Sequence, residues 1–192
     1  MTETTTVTPD GISGVVSDKP NARAFVPFDG SFLGDDDFLK APELQQIAEH
    51  LIATCGELDH LDGAPIRYRW KRKGGKSNGA DVHGKCTRMS GALRHFSGAE
   101  FLIWIAADHV REAGYTNLQL EALMFHELLH IELRVNDDET SPDYGEERLV
   151  IRAHDAEVFL GELQRYGAWR SDHQALQEQY RQLSIAAGAA AA

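Results

Sequence analysis

Apolar side chains recur every three or four positions in the segment that begins at residue 41. They are Leu44, Ile47, Ala48, Leu51 and Ile52. This spacing gathers the apolar side chains on one face of an α-helix, and Gly56 is a residue type that commonly ends one. The pattern therefore predicts an amphipathic helix over residues 41–55.

Beyond residue 64 the apolar positions alternate with basic ones. In the segment 65–73, PIRYRWKRK, the residues Ile66, Tyr68 and Trp70 occupy every second position. Alternation of this kind is typical of a β-strand with two different faces. The glycine-rich segment 74–84 that follows predicts a loop or a hairpin connection.

Two further strands are predicted after this connection. The segment 85–91, KCTRMSG, can form the returning strand of the hairpin. The segment 100–110, EFLIWIAADHV, is strongly apolar and rich in β-branched and aromatic residues. Its length suits a single buried strand.

The longest apolar segment of the chain covers residues 115–135. Thr116 is followed three positions later by Gln119, which is the pattern of a capping box, so a helix should begin near Asn117. Apolar residues lie on nearly every side of this helix, which is typical of a helix that passes through a core. An acidic loop at 136–147 follows it.

The segment 148–169 predicts one more helix. This order of elements predicts an α+β fold in which a small antiparallel or mixed sheet packs on helices and the helix at 115–135 lies in the core. Residues 1–40 show no sustained period and predict a flexible N-terminal tail. The domain then covers residues 41–170, and residues 171–192 form a C-terminal helix with an alanine-rich tail.

The composition limits the class of protein. With 42% hydrophobic residues the chain can bury a sizeable core, but no apolar run approaches the roughly 20 residues that cross a bilayer. The N-terminus lacks the pattern of a signal peptide, and two cysteines are too few for a disulfide scaffold. We therefore expect a cytoplasmic protein with no membrane partner.

The motif His-Glu-Leu-Leu-His in the longest apolar segment carries the first chemical signal. His126 and His130 are four positions apart, so they share one face of the helix, as two ligands of a tetrahedral Zn²⁺ site require. Glu127 would contact the water that the metal activates, first as general base and then as general acid. Imidazoles and a carboxylate are costly inside an apolar helix, and a metal ion compensates that cost.

A catalytic zinc ion usually has three protein ligands and one open position. His154 is the favoured third ligand because it lies among apolar residues of the next predicted helix, where an imidazole needs a partner. Asp155 and Glu157 are rivals, since carboxylates also bind zinc, and imidazole suits Mn²⁺ and Fe²⁺ as well. The remaining histidines are expected to be exposed or locally hydrogen bonded; they are His50, His60, His83, His95, His109 and His173.

Four segments in a fixed order give the chain a family resemblance. They are YRWKRKGGKSNG at 68–79, FLIWIAAD at 101–108, HELLHIE at 126–132 and RAHDAEVF at 152–159. The chain resembles the putative phage metallopeptidase family, which is similar in plan to SprT-like and other minimal zincins. The resemblance covers about residues 60–170 of the sequence.

This resemblance implies a zinc-dependent metallopeptidase that acts on a protein or peptide, in the host cytoplasm if a phage encodes it. It implies one Zn²⁺ ion bound by His126, His130 and His154, with Glu127 as the catalytic residue. In such enzymes the strand before the active-site helix is often an edge that accepts an extended peptide, and the segment 101–106 would fill this place.

Two tyrosines are further candidates for the chemistry. Tyr144 lies in the acidic loop, and Tyr166 lies in the last part of the predicted domain. A phenol near the reacting carbonyl can stabilise an oxyanion, so either side chain is a candidate for that role. Packing or exposure to solvent would explain both residues equally well.

The charge is distributed unevenly along the chain. The net charge is −11, which argues against a general nucleic-acid binder, yet residues 61–98 carry nine basic and two acidic residues. Basic residues interleaved with Tyr68 and Trp70 suit phosphate contact and base stacking, whereas a solvated strand face or an acidic protein partner would fit the same pattern. The candidates for nucleic-acid contact are Arg67, Arg69, Lys71, Arg72, Lys73 and Lys76.

Other functions stay open at this point. A metal-dependent hydrolase of another amide or of RNA would keep the same metal site. A nucleic-acid or protein-binding module with a structural zinc ion is a third candidate, although structural sites usually have four protein ligands and Glu127 would then have no role.

Overall fold

The computed structural model describes residues 4–7, 13–16, 19–77, 79–153, 160–170 and 174. The chain forms two compact units, Met1–Ala153 and His154–Ala192. The strands are β1 (Thr4–Val7), β2 (Ser13–Val16), β3 (Phe38–Lys40), β4 (Ile66–Lys71), β5 (Lys76–Ser77), β6 (Ala80–Asp81), β7 (Gly84–Arg88), β8 (Phe101–Ala106), β9 (Ile131–Val135) and β10 (Glu147–Ile151). The helices are α1 (Pro42–Thr54), α2 (Gly91–Ser97), α3 (Ala107–Ala113), α4 (Asn117–Leu129) and α5 (Leu160–Tyr166), with short 3₁₀ turns at Asp29–Ser31 and Gly56–Leu61.

A four-stranded mixed sheet organises the first unit, in the order β3-β4-β8-β7. β4 and β8 run parallel, whereas β3 and β7 pair antiparallel to their neighbours. The remaining described strands form three two-stranded antiparallel pairs, β1-β2, β5-β6 and β9-β10. Small sheets together with several helices make this an α+β fold, as the order of elements in the sequence predicted.

The core of the first unit lies between one face of this sheet and the helices α1 and α4. The largest fully buried side chains include Trp70 on β4, Phe101 on β8 and Phe125 on α4. The Trp70 indole donates a hydrogen bond to the Glu43 carboxylate of α1, which fixes this face of β4 against the helix. Among the described residues, no helix has the length and apolar character needed to span a membrane.

The predicted helix over 41–55 and the predicted strand within 65–73 are confirmed by α1 and β4. The prediction of β8 as an edge strand is wrong, because β4 and β7 bond to its two sides. Among the described strands of this sheet, β7 forms the edge on that side. The segment 100–110 is also shorter as a strand than predicted, since α3 begins at Ala107.

Two predicted helices differ from the structure near their ends. The helix within 115–135 begins as predicted at Asn117, but it ends at Leu129, and the chain turns directly into β9. The helix predicted over 148–169 is wrong for its first part, because β10 occupies Glu147–Ile151 and pairs with β9. Pairing with a neighbouring strand outweighed the helical spacing of the apolar residues there.

The segment before residue 41 contributes to the first unit, although its sequence shows no sustained period. β3 adds an edge to the main sheet, and Phe32 is buried. Arg23 forms an isolated antiparallel bridge with Thr116. These contacts tie part of the segment to the main sheet and to the N-terminal end of α4, although no periodic pattern in the segment predicts them.

Candidate metal centre

The N-terminal end of α4 is fixed by side-chain and backbone hydrogen bonds. The Thr116 hydroxyl accepts from the Gln119 amide at 3.3 Å, and the Gln119 side chain accepts from the Thr116 amide at 3.0 Å. The Ala24 amide also donates to the Tyr115 carbonyl at 2.8 Å. The predicted capping box is therefore confirmed, and it sets the register that carries the motif into the core.

The two histidines of the motif lie side by side at the C-terminal end of this helix. His126 is buried on the last turn, and His130 is the capping residue with helical dihedral angles, φ −68° and ψ −12°. Their ring centroids are 5.1 Å apart, and the rings are nearly perpendicular, at 84°. The four-residue spacing thus brings both imidazoles to one place, although the helix stops between them.

Hydrogen bonds to Arg152 orient the imidazole and the backbone of His130. Its Nδ1 donates to the Arg152 carbonyl at 2.9 Å, and the Arg152 amide donates to the His130 carbonyl at 2.7 Å. Because a carbonyl can only accept, Nδ1 carries the proton and Nε2 keeps its lone pair in the neutral ring. A histidine that binds a metal characteristically makes this kind of bond with its other ring nitrogen.

The chain just after the motif is held by a distant histidine. His60, in the turn after α1, donates from Nε2 to the Ile131 carbonyl at 2.7 Å. Ile131 is buried and begins β9 directly after His130. The prediction that His60 is exposed or locally bonded is wrong, since its partner lies 71 residues away in the sequence. This bond fixes the point where α4 changes into β9.

Glu127 lies between α4 and β7, next to a glycine that leaves it room. Its side chain is 3% exposed. A Cβ atom added to Gly84, the first residue of β7, would lie 2.6 Å from Oε1 of Glu127 and 3.0 Å from Cδ1 of Ile105. Any larger residue at position 84 would therefore displace the carboxylate. The sequence analysis missed Gly84, because one glycine in a glycine-rich loop carries no signal of its own.

Cys86 lies two residues further along β7. Burial, and then the negative charge of Glu127, raise the pKa of its thiol well above the usual range. The thiol is therefore held in its protonated form near the carboxylate. Cys55 and Cys86 are both buried and free.

Two more histidines, His83 and His109, make contacts between the segment before β7 and the region around α3. His109 on α3 donates from Nδ1 to the Val82 carbonyl at 3.0 Å, and the His83 ring stacks on Tyr115 at 5.4 Å. Both are half-buried with distant partners, so the expectation of exposed or locally bonded side chains is wrong for them as well. The same expectation is confirmed for His50 and His95, which are both exposed. His173 lies outside the described residues.

The remaining candidates for the metal site are only partly described. His154, Asp155 and Glu157 lie outside the described residues. Within the part of the chain that is described, no three His, Cys, Asp or Glu side chains are arranged to hold a metal ion together. Tyr144 is 56% exposed in the loop before β10, and Tyr166 lies in the second unit beside the Arg165 guanidinium.

The described residues fit a divalent metal such as Zn²⁺ on two observations. The donor set offers two adjacent imidazoles, and the Nδ1 hydrogen bond of His130 leaves Nε2 as the donor atom. Glu127, the residue after His126, has its carboxylate buried in a space that only a glycine at position 84 leaves open. Among the described residues, His126 and His130 would hold the ion.

Three of the six basic candidates share one face of β4 in the structure, and the other three do not. Arg67, Arg69 and Lys71 share one face of β4 by alternation, whereas Tyr68 and Trp70 are buried on the other face. The predicted stacking of bases on those two aromatics is therefore wrong. The others have different surroundings: Arg72 donates to the Gly34 carbonyl and lies near Asp29, Lys76 pairs with Asp81, and Lys73 is exposed.

Comparison with known proteins gives one match. The family model described as "Putative phage metallopeptidase" matches residues 36–183, which is most of the chain and includes the motif. No curated protein and no solved structure matches the chain.

Proposed function

This chain belongs to the putative phage metallopeptidase family, and we propose that it is a zinc-dependent peptidase. His126, His130 and His154 bind one Zn²⁺ ion in this proposal, and Glu127 is the general base and acid. The observation that carries it is the adjacent pair of imidazoles, together with the buried carboxylate of Glu127 on the same helix. When bound, the metal supplies Lewis-acid polarisation of the peptide carbonyl and acidifies water.

The return of the chain to His130 supports His154 as the third ligand. Arg152, the residue after β10, makes two hydrogen bonds with His130 through its backbone. His154 follows Arg152 by two positions in the sequence, which is why the proposal prefers it to a more distant residue.

Glu127 moves the proton in the proposed reaction. Its carboxylate accepts a proton from the attacking water as the new C–O bond forms at the peptide carbonyl. It then donates that proton to the amide nitrogen as the C–N bond breaks, so one water is consumed and a carboxylic acid and an amine are released. Burial beside Gly84 holds the carboxylate in one place, which limits the reorganisation that the reaction needs.

The position of β7 suggests where an extended substrate lies. β7 begins at Gly84, against Glu127, and among the described strands of the main sheet it pairs only with β8. Backbone groups at a strand edge can pair with an extended peptide. The proposal therefore assigns the substrate to β7 rather than to β8, which is interior.

Replacement of the carboxylate by its amide tests the proposed mechanism. In a zinc-loaded assay on unfolded labelled casein, Glu127→Gln should lower kcat by a factor of about 10²–10⁴, the usual contribution of general acid–base catalysis. Glu112→Gln, at an exposed position of α3, is the matched control and should retain activity. Equal activity of Glu127→Gln and wild type would remove Glu127 from the mechanism.

The wild-type protein also has to be compared across substrates. Cleavage of casein with no cleavage of RNA or of simple amides supports the peptidase assignment. Hydrolysis of RNA or of another amide that is lost in Glu127→Gln, with casein intact, would instead assign the site to another class of hydrolase. Stoichiometric zinc with no Glu127-dependent hydrolysis of any of them would favour a structural role for the metal.

Metal content tests the ligand set separately. Purified wild-type protein is expected to hold one zinc ion per chain, and His154→Ala should lose it after dialysis against a weak chelator. His95→Ala replaces an exposed histidine on α2 and serves as the matched control. Full zinc content in His154→Ala would exclude this residue and turn attention to Asp155 and Glu157.

A further inference from the structure

The outer face of the main sheet, turned away from α1 and α4, has an unusual concentration of positive charge. Pairing places ten side chains on this face, and five of them are lysine or arginine. None of the ten is acidic. We define the outer face by its residues: Phe38, Lys40, Arg67, Arg69, Lys71, Leu102, Trp104, Ala106, Lys85 and Thr87.

The register of the strands brings cations from three strands together. Trp104 on β8 lies beside Arg69 on β4 and beside Lys85 on β7. Lys40 on β3 lies beside Arg69 on the opposite side. The sequence analysis saw a basic segment within 67–76, but Lys40 and Lys85 come from outside it, and only the sheet unites them.

These charges are not balanced by neighbouring carboxylates. In the part of the chain that the structure describes, none of the five cations on the outer face forms an ion pair. Burial and the like charge of Arg67 lower the pKa of Arg69, so Arg67 and Arg69 repel each other on the outer face. The Arg67 and Arg69 guanidiniums donate to the carbonyls of Ser97 and Tyr68, which orients them without neutralising them.

Aromatic rings accompany the cations. The Lys71 ammonium lies over the Trp104 ring, 4.6 Å from its centroid, so this lysine is held close to the sheet. Phe38 at the β3 edge is 42% exposed. At the opposite end, Phe96 on α2 is 85% exposed and precedes the residue that accepts the Arg67 hydrogen bond. Exposed rings beside cations suit bases that are not already stacked in a duplex.

We infer that the outer face binds single-stranded nucleic acid, with its five cations on phosphates and Phe38 and Phe96 stacking on bases. The acidic remainder of the chain, net −11 overall, repels a polyanion elsewhere and favours binding at this one surface. Asp35, Asp36 and Asp37 are exposed just before β3, and their negative charge repels the nucleic acid at that end of the outer face. This surface is independent of the proposed peptidase site on the inner side of the sheet.

The test uses the full chain and fluorescence anisotropy with labelled oligothymidylate of about 20 nucleotides, a length that exceeds one compact site. Binding is expected at low salt, and log K should fall with log salt with a slope of up to about −3.5 if all five cations contact phosphates. Arg67→Gln/Lys85→Gln should reduce that slope by about 1.4. No binding at low salt would overturn the proposal.

A matched double variant distinguishes binding at the outer face from binding that depends only on the net charge of the protein. Arg134→Gln/Arg148→Gln makes the same change in charge at exposed positions of β9 and β10, and it should leave the slope unchanged. An equal effect of both pairs would show binding by overall charge and refute the assigned surface. Circular dichroism of each variant checks that it is folded.

Stacking is tested by Phe38→Ala, which should weaken binding about five-fold or more, as loss of one base–aromatic contact does. Leu93→Ala, which removes an exposed aliphatic side chain from α2, should have no effect. Oligouridylate in place of oligothymidylate distinguishes RNA from DNA as the source. Tighter binding of a duplex, or of polyglutamate at equal charge, would replace the assigned ligand by a duplex or by an acidic protein.

Discussion

On the inner face of β4, Tyr68 and Trp70 are buried against α1, whereas Arg67, Arg69 and Lys71 stand on the outer face of the same six-residue strand. The inner face also includes Gly84, which borders Glu127. One face of the sheet therefore packs against the core and borders the proposed catalytic residue, and the other face carries charge. Because strand side chains alternate, a single strand can serve both roles without sharing a side chain between them.

This division means that the stability and the two proposed activities should respond to different substitutions, even at adjacent residues. The following predictions test that separation. Each prediction changes a residue of the inner face or a residue that contacts it.

The largest expected effect is on stability. Trp70→Ala removes a fully buried side chain and its bond to Glu43, and should cost about 3–5 kcal/mol of unfolding free energy. Arg69→Ala, one position earlier on the outer face, should change it by about 0.5 kcal/mol or less. Urea unfolding, monitored by far-UV circular dichroism rather than by tryptophan fluorescence, measures the free energy of unfolding of both variants. Similar losses for the two variants would show that the faces are not energetically distinct.

A large effect on catalysis is expected from one added methyl group. Gly84→Ala pushes against the end of the flexible Glu127 side chain, so the carboxylate should move while the fold persists. A displacement near 1 Å commonly costs about 10² in rate, and peptidase activity should fall by about that factor. Binding of oligothymidylate should be retained. Full peptidase activity in Gly84→Ala would show that this close approach does not position Glu127.

The adjacent residues Cys86 and Thr87 allow a chemical comparison of the faces. The pKa of the Cys86 thiol is raised by burial and by Glu127, and the thiolate is the reactive form. In Thr87→Cys, the new exposed thiol should react with iodoacetamide at mildly alkaline pH, whereas Cys86 should be slower by more than about ten-fold. Mass spectrometry of the tryptic peptide distinguishes the two sites. Equal labelling would contradict the burial of the inner face.

The smallest expected effect is on the pH dependence of stability. Burial raises the pKa of Glu43 above its usual 4.5, and the hydrogen bond from Trp70 opposes this only in part. The folded state therefore holds this proton more tightly, so the stabilisation from Glu43 is present below pH 4.5 and is lost as the pH rises through the folded pKa.

Glu43→Gln keeps a hydrogen-bond acceptor for Trp70 and removes the titration. The variant should gain stability relative to wild type as the pH rises from acid to neutral. Urea midpoints of both proteins over this range measure the difference. If the stability difference between Glu43→Gln and wild type is the same at every pH, then folding does not change the pKa of Glu43 and this prediction is wrong.

The sequence predicted the elements whose signals are local. The capping box at Thr116 located the start of α4, and the four-residue spacing of His126 and His130 was enough to expect adjacent rings. Alternation in β4 predicted a strand with an apolar and a basic face, and Tyr68 and Trp70 of the apolar face are buried. It could not show that α1 packs against this face, because that contact joins segments that are distant in the sequence.

The parts that the sequence could not predict all depend on distant partners. β10 has apolar residues at helical spacing, yet it is a strand because β9 lies beside it. The bond from His60 to Ile131, and the approach of Gly84 to Glu127, join residues far apart in the chain. The basic outer face is similar, because Lys40 and Lys85 reach it only through strand pairing.

The parallel pairing of β4 with β8 has a consequence for the order of folding. It joins segments about 35 residues apart, so the loop between them must close before the pairing can stabilise it. Helix α4 and the β9-β10 hairpin rely on nearer contacts and should form earlier. We therefore expect the histidines to approach each other while the sheet is still incomplete, and Glu127 to meet Gly84 only in the final, slower step.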